Sequence, residues 1–207
     1  MTTAGVILAG GRATRMGGGD KCRLVVDGRP IIDRIRAVIL PQVAALALNA
    51  NGDPARFDDL ALPVLPDPLP GQPGPLAGIL AGLDWAAAAG HAWLLSVPGD
   101  TPFLPPDLVA RLHAARGTQR YACAQSGDQL HPIVALWSTG CRDALRTALH
   151  DGLRKVQTFT RQTFASQAVA HWPAAPADPF RNLNSPADLL SVSPLDQRLQ
   201  EPVDRAP

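Results

Sequence analysis

A short apolar run, Ala4 to Leu8, leads directly into Ala9-Gly10-Gly11-Arg12-Ala13-Thr14-Arg15-Met16-Gly17-Gly18-Gly19-Asp20-Lys21, and this junction constrains the chain more than any other stretch. The apolar run reads as a buried first strand. Five glycines in the following window let the backbone turn sharply and bring its N–H groups close to a ligand. Arg12, Arg15 and Lys21 add positive charge to the same loop. Backbone donors in a turn together with cationic side chains suit a polyphosphate.

Two familiar phosphate loops are excluded by spacing. A P-loop places Ser or Thr after its lysine to hold Mg²⁺, whereas Lys21 is followed by Cys22. The dinucleotide fingerprint Gly-x-Gly-x-x-Gly is also missing, because Gly10 and Gly11 are adjacent and the next glycine is Gly17. A merely flexible surface loop would have no reason to hold three cations directly after a buried strand.

The rest of the chain alternates apolar strands with helical patterns, which predicts an open α/β fold. Leu24–Val26 reads as a strand and Asp27–Pro30 as a turn. Ile31 to Ile39 has helical spacing and stops before Pro41. Val43–Leu48 and Leu62–Leu65 are strands, with Asn49-Ala50-Asn51-Gly52 after the first and Asp67 after the second. An Asn amide can read a base or ribose edge, and an Asn pair can equally form a turn. Pro68 to Pro75 is a loop, and Pro75 opens a helix carrying Leu76, Ile79, Leu80 and Leu83.

Trp93–Val97 reads as a central strand of a parallel sheet, ending in Pro98-Gly99-Asp100-Thr101-Pro102. Ligands of open α/β sheets bind at the carboxyl ends of such strands, so Asp100 is the candidate Mg²⁺ ligand. Asp107 is expected to cap the helix that begins near Leu108. Tyr121–Ala124 and Ile133–Trp137 form a strand pair, Arg142–His150 and Val156–Phe164 are helices, and Ala168–Trp172 is a late strand. His131, at the start of the second paired strand, reads as a structural hydrogen-bonding residue from its type alone. Arg154 and Lys155 read as solvated surface, and Asn184 or Ser185 as a helix cap.

A net charge of +1 argues against nucleic-acid or membrane-surface binding by bulk electrostatics, so any anion site must be local. Three cysteines without Cys-x-x-Cys spacing indicate neither a disulfide framework nor a zinc site. With no membrane-length apolar run and no signal-peptide layout, a cytoplasmic protein is expected. A single domain over residues 1–192 is expected, followed by a disordered tail over residues 193–207.

The Leu8-Ala9-Gly10-Gly11, Arg15-Met16-Gly17-Gly18 and Asp20-Lys21 segments resemble the signature loop of nucleotidyltransferases that activate sugars and cofactors with a nucleoside triphosphate. The Arg-Met-Gly-Gly core and the later Asn182-Leu183-Asn184-Ser185-Pro186 are most similar to the molybdenum cofactor (molybdopterin) guanylyltransferases. The likeness runs from about Ala4 to Leu190 and includes Asn49–Asn51, Pro73–Gly78, Gly99–Pro102, His131-Pro132 and Gly152–Val156. It implies a three-layer, Rossmann-like nucleotidyltransferase fold with a mostly parallel sheet flanked by helices, nucleotide in the N-terminal half and pterin in the C-terminal half.

The same resemblance implies GTP at Leu8, Ala9, Gly10, Gly11, Lys21, Asn49, Asp67 and Asp100. Arg15, Lys21 and Asp100 would be catalytic, Mg²⁺ would sit on Asp100, and pterin would meet His131, Arg154, Lys155, Asn182 and Asn184. Where the family often has Gly, Ala or Leu after the lysine, this chain has Cys22. The implied substrates are GTP and molybdopterin, for a monomer that meets molybdopterin-supplying and molybdoenzyme-maturation proteins transiently. The terminal phosphate of molybdopterin would attack the α-phosphorus of Mg-GTP, releasing pyrophosphate. Alternatives are a molybdopterin cytidylyltransferase, a sugar- or polyol-phosphate nucleotidyltransferase, or a non-catalytic carrier of nucleotide or pterin. A Rossmann dehydrogenase is disfavoured by the missing fingerprint.

Overall fold

The computed structural model describes residues 2–10, 20–69, 74–183 and 188. Its main sheet has seven strands: β1 (Thr3–Leu8), β4 (Ala45–Asn49), β5 (Val64–Leu65), β6 (Trp93–Pro98), β7 (Tyr121–Ser126), β8 (Gln129–Ser138) and β9 (Ala168–Trp172). Their spatial order is β5-β4-β1-β6-β8-β7-β9. β5, β4, β1 and β6 run parallel, β8 is antiparallel to both β6 and β7, and β9 is parallel to β7. The expected central strand is therefore central, but parallel to a neighbour on one side only.

Among the described residues five helices cover the two faces: α1 (Ile31–Ile39), α2 (Pro75–Ala88), α3 (Leu108–Arg116), α4 (Arg142–His150) and α5 (Val156–Thr163). Strand alternation decides which side chain meets which layer. Ile7, Leu95 and Val97 point to the core that also contains Ile32, Ile35 and Leu112 of α1 and α3. Val6 and Leu94 point to the opposite core, with Ile79 and Leu80 of α2, Leu145 of α4 and Phe159 of α5. Each such fully buried side chain contributes about 1.5–3 kcal/mol of transfer free energy. Asp84 of α2 receives two hydrogen bonds from Arg146 of α4, both 2.7 Å, on the outer side of this layer. In the second core Tyr121 is fully buried, stacked on Phe164 at 5.2 Å and tilted against Trp137 at 4.5 Å.

Several local expectations change. Asp27-Gly28 is a two-residue turn with both φ angles positive, and Arg29–Pro30 is a strand, β3, paired with β2 (Val25–Val26). Asp-Gly between strands is the usual tight-hairpin pair, so the turn ends two residues earlier than the composition suggested. Residues Pro54–Leu60 form 3₁₀ turns, which no apolar period marks in the sequence. Asp107 does not cap α3 with its side chain: one carboxylate oxygen accepts the Trp172 indole N–H at 3.2 Å, and the other faces Arg111. β8 begins four residues before Ile133 and carries a bulge, because Cys123 faces Ala135 while Ala124 faces His131. Three extra residues, Pro132 to Val134, are thereby pushed out of register. Asn184, Ser185 and the expected tail lie outside the described residues.

Candidate active site

After β1 the chain moves to β4 and β5 on one side, then returns across β1 to place β6 on the other. Such a reversal opens a crevice at the carboxyl ends of the two central strands. Here the ends are sewn together, since the Gly99 N–H donates to the Leu8 carbonyl at 2.9 Å. Directly beyond them lies a cavity of about 450 Å³, within the size range of small-ligand sites. Leu8, Ala9, Gly10, Lys21, Asn49, Asp67 and Asp100 all line it.

Asp100 sits where β6 runs out. Its backbone carbonyl accepts the Leu183 N–H at 2.9 Å, and the neighbouring Thr101 hydroxyl donates to Asn182 Oδ1 at 2.7 Å. Burial pushes the Asp100 carboxyl up from its ordinary pKa, and the positive charge of Lys21 pulls it partly back. Its Oδ1 is buried and has no hydrogen-bond partner among the described residues. An orphaned carboxylate oxygen is an unfavourable thing to bury unless a ligand or cation completes it. The described residues contain no cluster of three or more His, Cys, Asp or Glu side chains able to hold a metal. A single carboxylate beside phosphates and water fits magnesium, which keeps most of its ligands from those sources.

The opposite wall is built from Asn49, Asn51 and Asp67. Asn49 ends β4, and its Nδ2 donates to the Leu65 carbonyl and to Asp67 Oδ1, both at 3.0 Å. Asn51 holds the same residue twice: its Nδ2 donates to Asp67 Oδ2 at 2.7 Å, and its Oδ1 accepts the Asp67 N–H at 2.8 Å. Asn49 Oδ1 lies against Gly78 in the first turn of α2, where a Cβ would stand only 2.1 Å away. Pro75 occupies the first turn of α2 after Gly74, as expected, and both line the cavity. The Ala9 N–H is spent on the Asn49 carbonyl at 2.9 Å, so Ala9 has no main-chain donor left for a phosphate.

Cys22 also borders the cavity, but burial and the nearby Asp20 push its thiol up to about 12. It is not a nucleophile at neutral pH. Ile133, carried on the bulge of β8, forms part of the lining and was not singled out by the sequence. The bulge is held by Ser96, whose hydroxyl donates to the Ile133 carbonyl at 2.5 Å and accepts the Trp137 indole N–H at 2.8 Å.

The residues assigned to pterin fall differently. Asn182 adjoins Asp100 through Thr101. His131 is half-buried against Phe180, hydrogen-bonded to Ser126 Oγ at 2.7 Å, with its pKa lowered by burial, and lies outside the cavity lining. Arg154 donates to the Leu149 and Leu153 carbonyls at the end of α4, and Lys155 precedes α5; neither lines the cavity. Gly11, Arg15 and Asn184 lie outside the described residues.

A cleft of this kind, at the switch point of this sheet, marks the ligand site of an open α/β protein, and the family match below makes that protein a nucleotidyltransferase. Among solved structures, the molybdopterin-guanine dinucleotide biosynthesis protein A of Archaeoglobus fulgidus superimposes with a TM-score of 0.68 at 21% identity, covering 90% of this chain and 95% of that one. A CMP:2-keto-3-deoxy-manno-octonic acid synthetase complexed with CTP superimposes at 0.71 and 12% identity, covering 92% and 96%. The chain belongs to the MobA-like NTP transferase family, whose domain model matches residues 5–168. Its relatives include the molybdenum cofactor guanylyltransferase of Rhodopseudomonas palustris strain HaA2, 52% identical over 93% of this chain and 92% of the relative. The protein of the same name from Nitrobacter hamburgensis is 47% identical over 93% and 94%.

Proposed function

We infer that this chain is a molybdenum cofactor guanylyltransferase, joining GMP from GTP to the terminal phosphate of molybdopterin and releasing pyrophosphate. The observation that carries the reading is Asp100 Oδ1, buried, without a hydrogen-bond partner among the described residues and close enough to Lys21 to feel its charge, at the mouth of the switch-point crevice. Asp100 would hold a magnesium ion together with nucleotide phosphate oxygens, and that ion, when bound, offsets charge on the phosphates. Lys21 faces the same charge from the loop side. The names carried by relatives about half identical to the chain support guanine and pterin as substrates.

The chemistry asks little more of the protein. A phosphate monoester is already an anionic nucleophile near neutral pH, so no general base is needed. One oxygen of molybdopterin forms a bond to the α-phosphorus while the bond to the β-phosphate oxygen breaks in line, and the electron pair leaves with pyrophosphate. The chain contributes alignment and fixed positive charge. Guanine is supported by the polarity of the Asn49–Asp67 wall. With the amide hydrogens of Asn49 and an amide hydrogen of Asn51 engaged internally, this wall offers mainly oxygen acceptors. Guanine presents N1–H and N2–H donors on one edge, whereas cytosine presents two acceptors and one amino group.

Arg15 belongs to this proposal as a phosphate ligand, Gly11 as part of the same loop, and Asn182 and Asn184 as residues on the pterin side. His131, Arg154 and Lys155 stay in it as pterin contacts outside the cavity that Asp100 and Lys21 share. The test is pyrophosphate release with magnesium and molybdopterin, from GTP and separately from CTP. Release with GTP is expected. Release with CTP alone would keep the transfer and overturn the base, and GTP binding without release would favour a carrier.

A further inference from the structure

The signature loop ends at Asp20 and Lys21, while Asp67 stands on the opposite wall of the cavity, and the side chains of Arg56 and Asn51 link the two. Arg56, in the 3₁₀ turns of Pro54–Leu60, donates from Nε to Asp20 Oδ2 at 2.9 Å. Its Nη2 donates to the Asn51 carbonyl at 2.7 Å and its Nη1 to the Asp53 carbonyl at 2.8 Å. Asn51 in turn holds Asp67 by two hydrogen bonds. Asp20, the sequence neighbour of Lys21, and Asp67 are thereby linked through Arg56 and Asn51.

The surroundings are built to keep this guanidinium in place. Gly52 adopts φ +88°, and a Cβ there would come within 3.1 Å of Arg56 Nη1. The guanidinium lies 4.6 Å from the Phe57 ring centroid, and Arg23 approaches the same ring at 5.2 Å. Arg23 also donates to the Arg56 carbonyl at 2.6 Å and grips Asp59 with two bonds, so the backbone under Arg56 is tied down as well. A planar fork with fixed donor directions can serve three acceptors at once, which a lysine ammonium on a flexible stem cannot match.

We propose that Arg56 is a positioning residue that sets the spacing between the Lys21 and Asp67 walls, so that one nucleotide can engage both. The inference rests on the nucleotide reading of the cavity. It predicts a ligand-dependent loss. Arg56→Gln weakens GTP about tenfold, the scale of one charge-assisted hydrogen bond. Guanosine, which reaches one wall, and magnesium pyrophosphate, which reaches the other, each change by less than about twofold, because neither depends on the spacing.

The experiment measures binding of GTP, guanosine and magnesium pyrophosphate to the wild type, Arg56→Gln, Arg56→Lys, Asp20→Asn and the Asp20→Asn/Arg56→Gln double variant, with melting curves alongside. Partial recovery in Arg56→Lys, and a double variant no weaker than Arg56→Gln alone, are expected, since both changes cut the same link. Equal weakening of all three ligands, losses that multiply in the double variant, or unchanged GTP affinity would each overturn the proposal. A wild type that binds no nucleotide would instead overturn the reading on which it rests.

Discussion

Replacing Gly78 by alanine separates what a helix prefers from what this cavity needs. In an ordinary exposed helix the change stabilises by about 1 kcal/mol. In this one the new methyl would stand 2.1 Å from Asn49 Oδ1, 2.7 Å from Asn49 Cγ and 2.9 Å from Leu8 Cδ2. Asn49 is not free to swing aside, because its Nδ2 is fixed by the Leu65 carbonyl and Asp67. Overpacking costs about 1–3 kcal/mol and two disturbed hydrogen bonds about 1 kcal/mol each. Set against the propensity gain, the net loss is about 2–4 kcal/mol, or roughly 4–16 °C in melting temperature for a chain of this size. GTP affinity should fall with it, since Asn49 and Asp67 both line the cavity. Gly82→Ala is the control: its methyl would meet Val6 and Leu94 at 2.9 Å, in the apolar core. That variant should melt earlier while binding GTP as the wild type does. A Gly78→Ala protein that melts at or above the wild type with unchanged GTP affinity would refute the argument.

Asp100→Asn should abolish turnover by about a hundredfold or more while the melting temperature holds or rises. The folded state raises this carboxyl's pKa, so the ionised form subtracts stability above the unfolded-state value, and the amide removes that penalty. In the metal-free protein, Lys21→Met should push the Asp100 carboxyl further up, because the Lys21 charge is what pulls it back. Ser96→Ala leaves the buried Trp137 indole N–H without its acceptor and releases the Ile133 carbonyl, at a cost of about 1–3 kcal/mol; slower turnover should accompany the lower melting point, because Ile133 borders the cavity. His113, bonded to Thr3 and Arg116, has its pKa lowered by burial and by the Arg116 charge. Its contribution is therefore complete above about 6.5 and is lost progressively below it, so the melting temperature should fall with acidification and do so less steeply in His113→Gln.

How much of this was legible depended on the range of the interactions. α1, α4 and β9 have the boundaries that apolar period and Pro41 indicated, because those signals are local. The sequence starts the second paired strand at His131-Pro132, whereas β8 begins at Gln129: its first residues pair with β7 across a bulge, in which Pro132 sits where no ladder bond is asked of it. The 3₁₀ turns of Pro54–Leu60 have no apolar period at all; they are held by Arg23, Arg56 and Phe57. Asp100 is a candidate from its residue type and its place after a strand, and Lys21 from its place in a glycine-rich, cationic loop; both line the cavity. The link from Asp20 to Arg56 spans 36 residues and depends on how β4 and its following turn lie beside the loop, which no local pattern records. Asp107 does stand at the N-cap position of α3, but its carboxylate turns instead to Trp172, which arrives from 65 residues away.

The burial of Tyr121 has an optical consequence. It is the chain's single tyrosine, it lies within 4.5 Å of the Trp137 ring, and its phenol is held well above its ordinary pKa. At that separation its excitation passes to tryptophan, so the folded protein should show almost no tyrosine emission. Phenolate absorbance in alkali should then appear only when the layer formed by α5 and the sheet comes apart. One chromophore thus clocks the opening of the half of the molecule away from the nucleotide loop, with no label attached.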